Sequence, residues 1–118
     1  MYNSKYFSND EFKRVACTRS QINDDSLRRL DRAREIAGIP FILNSAYRSP
    51  ETDRASGRSG KGAHTLGKAF DVSCVDSRSR YLIVLGALSA GFTRIGIGKT
   101  FIHMDDAFEL PTPRIWLY

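Results

Sequence analysis

The sequence predicts an α+β fold, and three observations carry the expectation. Two stretches, 25–37 and 77–90, hold apolar residues at helical spacing. Between and after them lie short apolar or alternating runs with the period of strands. The last two runs are joined through Gly98-Lys99, a hairpin signal. Helices thus alternate with short strands and hairpins.

Taken in order, Ser8 followed by Asn9, Asp10 and Glu11 marks a helix start with acids in its first turn, and this short helix is expected to end near Cys17. A stronger helix follows from about Asp25 to Ala37, with Leu27, Leu30, Ala33 and Ile36 on one stripe and Gly38 as the stop. Pro40 to Leu43 reads as a short buried strand. Ser49-Pro50-Glu51 gives an N-cap, an N1 proline and a first-turn acid, so a short helix begins there. Residues 56–63, SGRSGKGA, form a glycine-rich loop. It lacks the preceding strand and the Gly-Lys-Ser/Thr ending of a phosphate loop. Lys68 to Ser73 reads as a strand. Ser77 to Ala90 reads as a helix with Leu82, Ile83, Leu85 and Leu88 inward, ended by Gly91. Phe92 to Ile97 and Thr100 to Met104 are the hairpin strands. The tail, with Pro111, Pro113 and Trp116, is expected to pack over the sheet, Arg114 stacking near Trp116 in a structural role.

With 118 residues, the chain fits one domain, 1–118, large enough to bury a core without disulfides. Cys17 and Cys74 are too few for a disulfide framework and read as reduced thiols. No apolar run is long enough to span a membrane, so no membrane partner is expected. The N-terminal MYNSKYFSNDEFKR lacks the apolar core of a secretory signal. The net charge of +5 favours anionic partners, nucleic acid or an anionic bacterial wall among them. Arg28, Arg29, Arg32 and Arg34 lie on one helix and read as a solvated face.

The chain holds two histidines, His64 and His103. His64 leaves the glycine-rich loop at the edge of a strand. Seven residues on, Asp71 interrupts the apolar run Ala69-Phe70-Asp71-Val72, and a carboxylate within a strand needs a partner. Alternation along the strand puts Phe70, Val72 and Cys74 on one side and Asp71 and Ser73 on the other, which removes Cys74 from the candidate ligands. In Phe101-Ile102-His103-Met104-Asp105, His103 and Asp105 share a face, their Cα atoms ~6.5–7 Å apart. Two imidazoles and a carboxylate suit a zinc ion with one coordination position left for water, the layout of a catalytic site. Zinc lowers the pKa of such a water to about 7.

The segments SAYRSPETDR (45–54), AHTLGKAFD (63–71) and FIHMD (101–105) resemble the zinc D-alanyl-D-alanine carboxypeptidase family, which includes L-alanyl-D-glutamate endolysins. The family pattern is Ser-x-His-x-x-Gly-x-Ala-x-Asp with a later histidine. Here His64, Gly67, Ala69 and Asp71 match in order and His103 matches the later histidine. Gly62 stands where the pattern has its serine, and Thr100 where many members carry a catalytic acid. The resemblance spans roughly residues 6–116 and implies a Hedgehog/D,D-peptidase fold: a small antiparallel sheet with helices packed on one side. It implies Zn2+ held by His64, Asp71 and His103, with Arg48 near the substrate carboxylate and scissile carbonyl and Ser45 beside it in substrate binding. Asp105 is then the candidate general base, or alternatively a residue that anchors His103. The implied activity is hydrolysis of peptidoglycan stem peptides by a monomer without nucleic acid. The His-x-Asp ending resembles the short, often phage-borne branch, so the expected setting is a protein made in the cytoplasm that reaches the wall after release, or is carried in a phage particle. Two other readings stand beside this one. The first is a non-enzymatic zinc-binding module, structural or wall-binding. The second is a basic nucleic-acid binder, which rests on charge alone.

Overall fold

The computed structural model describes residues 1–118. Its elements run α1 (Asn9–Arg14), α2 (Asp24–Ala37), β1 (Leu43–Ser45), α3 (Pro50–Ala55), β2 (Ala69–Ser73), α4 (Ser77–Ala90), β3 (Arg94–Ile97), β4 (Phe101–Asp105) and β5 (Arg114–Leu117). Two 3-10 turns, Arg19–Gln21 and Ala63–Leu66, complete the set. No helix is long and apolar enough to cross a membrane.

The five strands form one sheet in the order β1-β2-β4-β3-β5. β1, β2, β4 and β3 pair antiparallel, as expected, while β5 lies parallel to β3 at the edge. Phe70, Val72, Ile95, Ile102 and Met104 point to one face and are fully buried. Against that face lie α2 and α4, which cross close together. Leu27, Leu30 and Ala33 come from α2, Ile83 and Ala87 from α4. Gly86 makes the close approach possible: a Cβ there would run into the Ala33 carbonyl and sit 3.1 Å from the Ala37 Cβ. The opposite face of the sheet is left to the polar residues of the alternation, and the site is built there.

Four sequence expectations are corrected. The first helix ends at Arg14, because Ala16 takes a left-handed φ of 60° and turns the chain before Cys17. The first strand lies at Leu43–Ser45 rather than 40–43, since strand pairing follows the partner β2 and not local apolarity. On α4 the inward stripe is Ile83, Gly86 and Ala87, while Leu85 and Leu88 are exposed. A close helix–helix crossing selects small residues, so the bulkiest side chains are turned away. The C-terminal tail does not lie over the sheet but joins it, the Arg114 N–H donating to the Thr93 carbonyl and the Tyr118 N–H to that of Ile97. Both cysteines are free and buried.

Candidate metal centre

Strand register sets the site. Ser45, Asp71, His103, Gly96 and Trp116 stand opposite one another across β1, β2, β4, β3 and β5. Since side chains alternate, this row shares the polar face. His64 joins it from the 3-10 turn before β2. That turn is stitched to the chain after β1 by the Arg48 N–H donating to the His64 carbonyl at 3.3 Å. The structure therefore brings all three proposed ligands together: one ligand atom from each of His64, Asp71 and His103 lies within 4.8 Å of the others.

The imidazoles are oriented from behind. His64 Nδ1 is 2.5 Å from the Ala46 carbonyl, which can only accept, so Nδ1 carries the proton and Nε2 keeps its lone pair. That Nε2 is 3.4 Å from Asp71 Oδ2. His103 Nδ1 is 3.0 Å from Asp71 Oδ1, and its Nε2 donates to Asp105 Oδ2 at 2.6 Å. The two rings meet edge to face, with centroids 5.1 Å apart.

These distances fit zinc. Ligands ~2.0–2.1 Å from a tetrahedral ion are separated from one another by ~3.3 Å; His103 Nδ1 approaches Asp71 Oδ1 at 3.0 Å and His64 Nε2 approaches Oδ2 at 3.4 Å, each imidazole meeting its own oxygen of the carboxylate at about that spacing. Each ring also donates its far N–H to an oxygen, the arrangement that fixes the tautomer of a ligating histidine. The electrostatics agree. Burial pushes the Asp71 carboxyl up, but His103 and His64 outweigh it and hold the group well below the usual carboxylate range. Burial likewise lowers His103, yet Asp105 and Asp71 more than offset this, so its pKa lies above the ordinary value. Two carboxylates that favour a proton on a buried ring also favour a metal cation beside it.

Asp105, expected from the sequence as a general base or as an anchor of His103, lies behind that ring. It has no exposed surface. Its Oδ2 accepts from His103, its Oδ1 accepts the Ala107 N–H at 3.1 Å, and Arg94 Nε lies 3.0 Å from Oδ1. The carboxylate therefore stands behind His103, away from the ligand side, with every oxygen engaged.

Arg48 lies at the mouth, donating from Nη1 to Ser45 Oγ at 3.0 Å and, with Nε 3.4 Å from Oδ1, paired to the buried Asp53. Asp53 also accepts the Gly60 N–H at 2.9 Å and so ties the glycine-rich loop to the same arginine. The cleft over the three ligands measures about 190 Å³, and its only carboxylates are Asp53, Asp71 and Asp105. Arg58, Trp116 and Tyr118 also line it. Sequence reasoning missed these three as site residues. The alternation Ile115-Trp116-Leu117-Tyr118 was the available signal for a strand with an aromatic face. Trp116 packs against His103, centroids 5.3 Å apart. The guanidinium over Trp116 is that of Arg94, at 5.1 Å, while Arg114 instead donates to the Pro113 carbonyl. The expected Arg114–Trp116 stacking is thus replaced by a cross-strand contact.

Fold and site together define a small metallopeptidase-like domain, and comparison with known proteins agrees. The Peptidase M15 family profile matches residues 5–105, and the chain belongs to that family. This bears out the resemblance read from segments 45–54, 63–71 and 101–105. Among solved structures, the chain is similar to the L-Ala D-Glu endopeptidase ChiX of Serratia marcescens. The TM-score is 0.54 and the identity 17%, over 89% of this chain and 93% of that one. At that identity the likeness shows a shared fold. No curated protein sequence matches the chain.

Proposed function

We propose that the chain, as one domain, is a zinc peptidase that hydrolyses peptides of bacterial peptidoglycan. The observation that carries the reading is the convergence of His64 Nε2, Asp71 and His103 Nδ1 on a cleft flanked by Arg48. Family membership and the fold shared with an L-Ala D-Glu endopeptidase support the substrate class. Bound by these three residues, zinc supplies Lewis acidity toward the scissile carbonyl and an acidified water. The chain's own groups do the rest. His64 and His103 are held in the ligating tautomer by the Ala46 carbonyl and Asp105. The Arg48 guanidinium offers paired donors to a substrate carboxylate or to the developing oxyanion. Asp105 we assign to orienting His103, not to proton transfer, because both of its oxygens are taken.

That assignment leaves the cleft without a free carboxylate base, and this favours one second reading, a zinc-binding module without catalysis. Purified peptidoglycan is digested with and without chelator, the fragments are analysed by mass spectrometry, and zinc content is measured in parallel. Chelator-sensitive release of stem-peptide fragments is the expected result and identifies the bond cut. Retained zinc with no fragments supports the second reading. Absence of zinc from the wild-type chain and from zinc-supplemented samples overturns both.

A further inference from the structure

The strand β5 lies beyond the segment matched by the family profile, which ends at residue 105. Its polar-face residues nevertheless reach the metal centre. Trp116 stands in the same cross-strand row as His103 and Asp71, and Tyr118 follows two residues on, on the same face. Two glycines keep space for these rings. A Cβ on Gly96 would lie 2.6 Å from the Tyr118 ring and 2.7 Å from the Trp116 indole nitrogen. A Cβ on Gly98 would collide with Phe101, whose ring supports Tyr118 at 4.9 Å between centroids. The space beside Gly96 on β3 is thus filled by Trp116 and Tyr118, and that beside Gly98, in the turn after β3, by Phe101 of β4.

These rings line the cleft together with Arg48, Arg58, His64, Asp71 and His103. Arg48 bonds Ser45 of β1, at the sheet edge opposite β5. Tyr118 nonetheless keeps 66% of its surface exposed, so packing alone does not account for it. It lines the same cleft as Asp71, Arg58 and Arg48. A cleft of about 190 Å³ is smaller than the ~300 Å³ lower bound of sites for drug-sized ligands. A cleft of this size suits a small side chain beside the aromatic faces.

We propose that β5 is the substrate-facing wall of the cleft: Tyr118 touches the peptide, and Trp116 positions Tyr118 and His103. The ligand class is a short peptide carrying a carboxylate for the arginine side and a small residue against the aromatic side. The identity of that peptide as a peptidoglycan fragment rests on the function proposed above; the wall itself does not.

Trp116 is the chain's single tryptophan, so its fluorescence reports on the wall directly. The zinc-loaded full chain is mixed rapidly with an L-alanyl-D-glutamyl stem peptide, and emission is followed before turnover. A saturable change is expected. Tyr118→Ala should raise both the fluorescence-derived Kd and KM by about tenfold, and Tyr118→Phe by roughly threefold, the range of one lost hydrogen bond plus ring contact. Zinc content and melting temperature should stay at wild-type values in both variants. Emission indifferent to saturating peptide, or a Tyr118→Ala Kd within about twofold of wild type, would overturn the proposal. So would loss of zinc or of the folded state in Tyr118→Phe, which would make the strand merely structural. Saturable binding without any cleavage leaves the wall standing and removes the peptidase reading instead.

Discussion

Replacement of Asp105 by Asn separates the two roles read from the sequence, general base and, alternatively, anchor of His103. The carboxylate is fully buried and satisfies three donors: on Oδ2, His103 Nε2–H at 2.6 Å and Arg94 Nε–H at 3.2 Å; on Oδ1, the Ala107 N–H at 3.1 Å. Asparagine has the same shape but only one accepting oxygen. If that oxygen stays on Ala107, the amide NH2 confronts two donors. His103 then relieves the clash by moving its proton to Nδ1, the nitrogen that faces Asp71, and a protonated nitrogen cannot ligate. If the amide is turned, the Ala107 N–H is left without its partner. Either arrangement strands a buried donor, at ~1–3 kcal/mol. Losing the carboxylate behind a ligating histidine typically weakens metal binding ~10–100-fold, or about 1.4–2.8 kcal/mol. The assay is competition for zinc with a chromophoric chelator, paired with steady-state rates at saturating zinc. The expected result is a Kd weaker by that factor, with the rate at saturating zinc far less affected. A general base would behave oppositely, with a rate loss of ~100–10,000-fold and an unchanged Kd. A zinc Kd within about twofold of wild type, together with a rate loss on that scale, would refute the orienting role.

Arg48→Lys keeps the charge but cannot reach both Ser45 and Asp53 in a planar fork. Activity on stem peptides should fall on the order of 10- to 100-fold, short of the loss for a deleted oxyanion donor, with zinc content unchanged; an unaltered rate would remove Arg48 from the site. Gly86→Val drives a side chain into the Ala33 carbonyl where α2 and α4 cross. Overpacking there should cost ~1–3 kcal/mol, read as a lower urea midpoint, and an unshifted midpoint would contradict the crossing. Asp76 caps α4, accepting from the Ser79 N–H at 2.8 Å, and its pKa is lowered by its backbone and side-chain bonds to Ser79. A carboxyl lowered on folding stabilises above its unfolded value of about 3.9 and loses that contribution as pH falls through the folded value. Asp76→Ala should therefore melt lower than wild type at pH 7, the gap closing in acid. A gap independent of pH would exclude the charge as the cause.

Local chemistry made much of this protein legible in its sequence. Period-two alternation put Asp71 and Ser73 on one side of a strand and Phe70, Val72 and Cys74 on the other. The same rule set His103 beside Asp105. The ligand candidates, Arg48 and the family all follow from short segments in which each residue's neighbours are its chain neighbours. What stayed hidden depends on pairing between distant strands. Asp105 reads as a base until Arg94, eleven residues earlier on β3, and the turn at Ala107 are seen to occupy its oxygens. Leu85 and Leu88 read as core until the small residues of α4 are found against α2. Trp116 and Tyr118 read as a tail until β5 pairs with β3 and lays Trp116 against His103 with Tyr118 beside it. Side-chain periodicity is decided within a few residues by backbone geometry. Register and edge pairing are decided by hydrogen bonds and burial between segments far apart in the chain, and the sequence of one segment does not contain the position of the other.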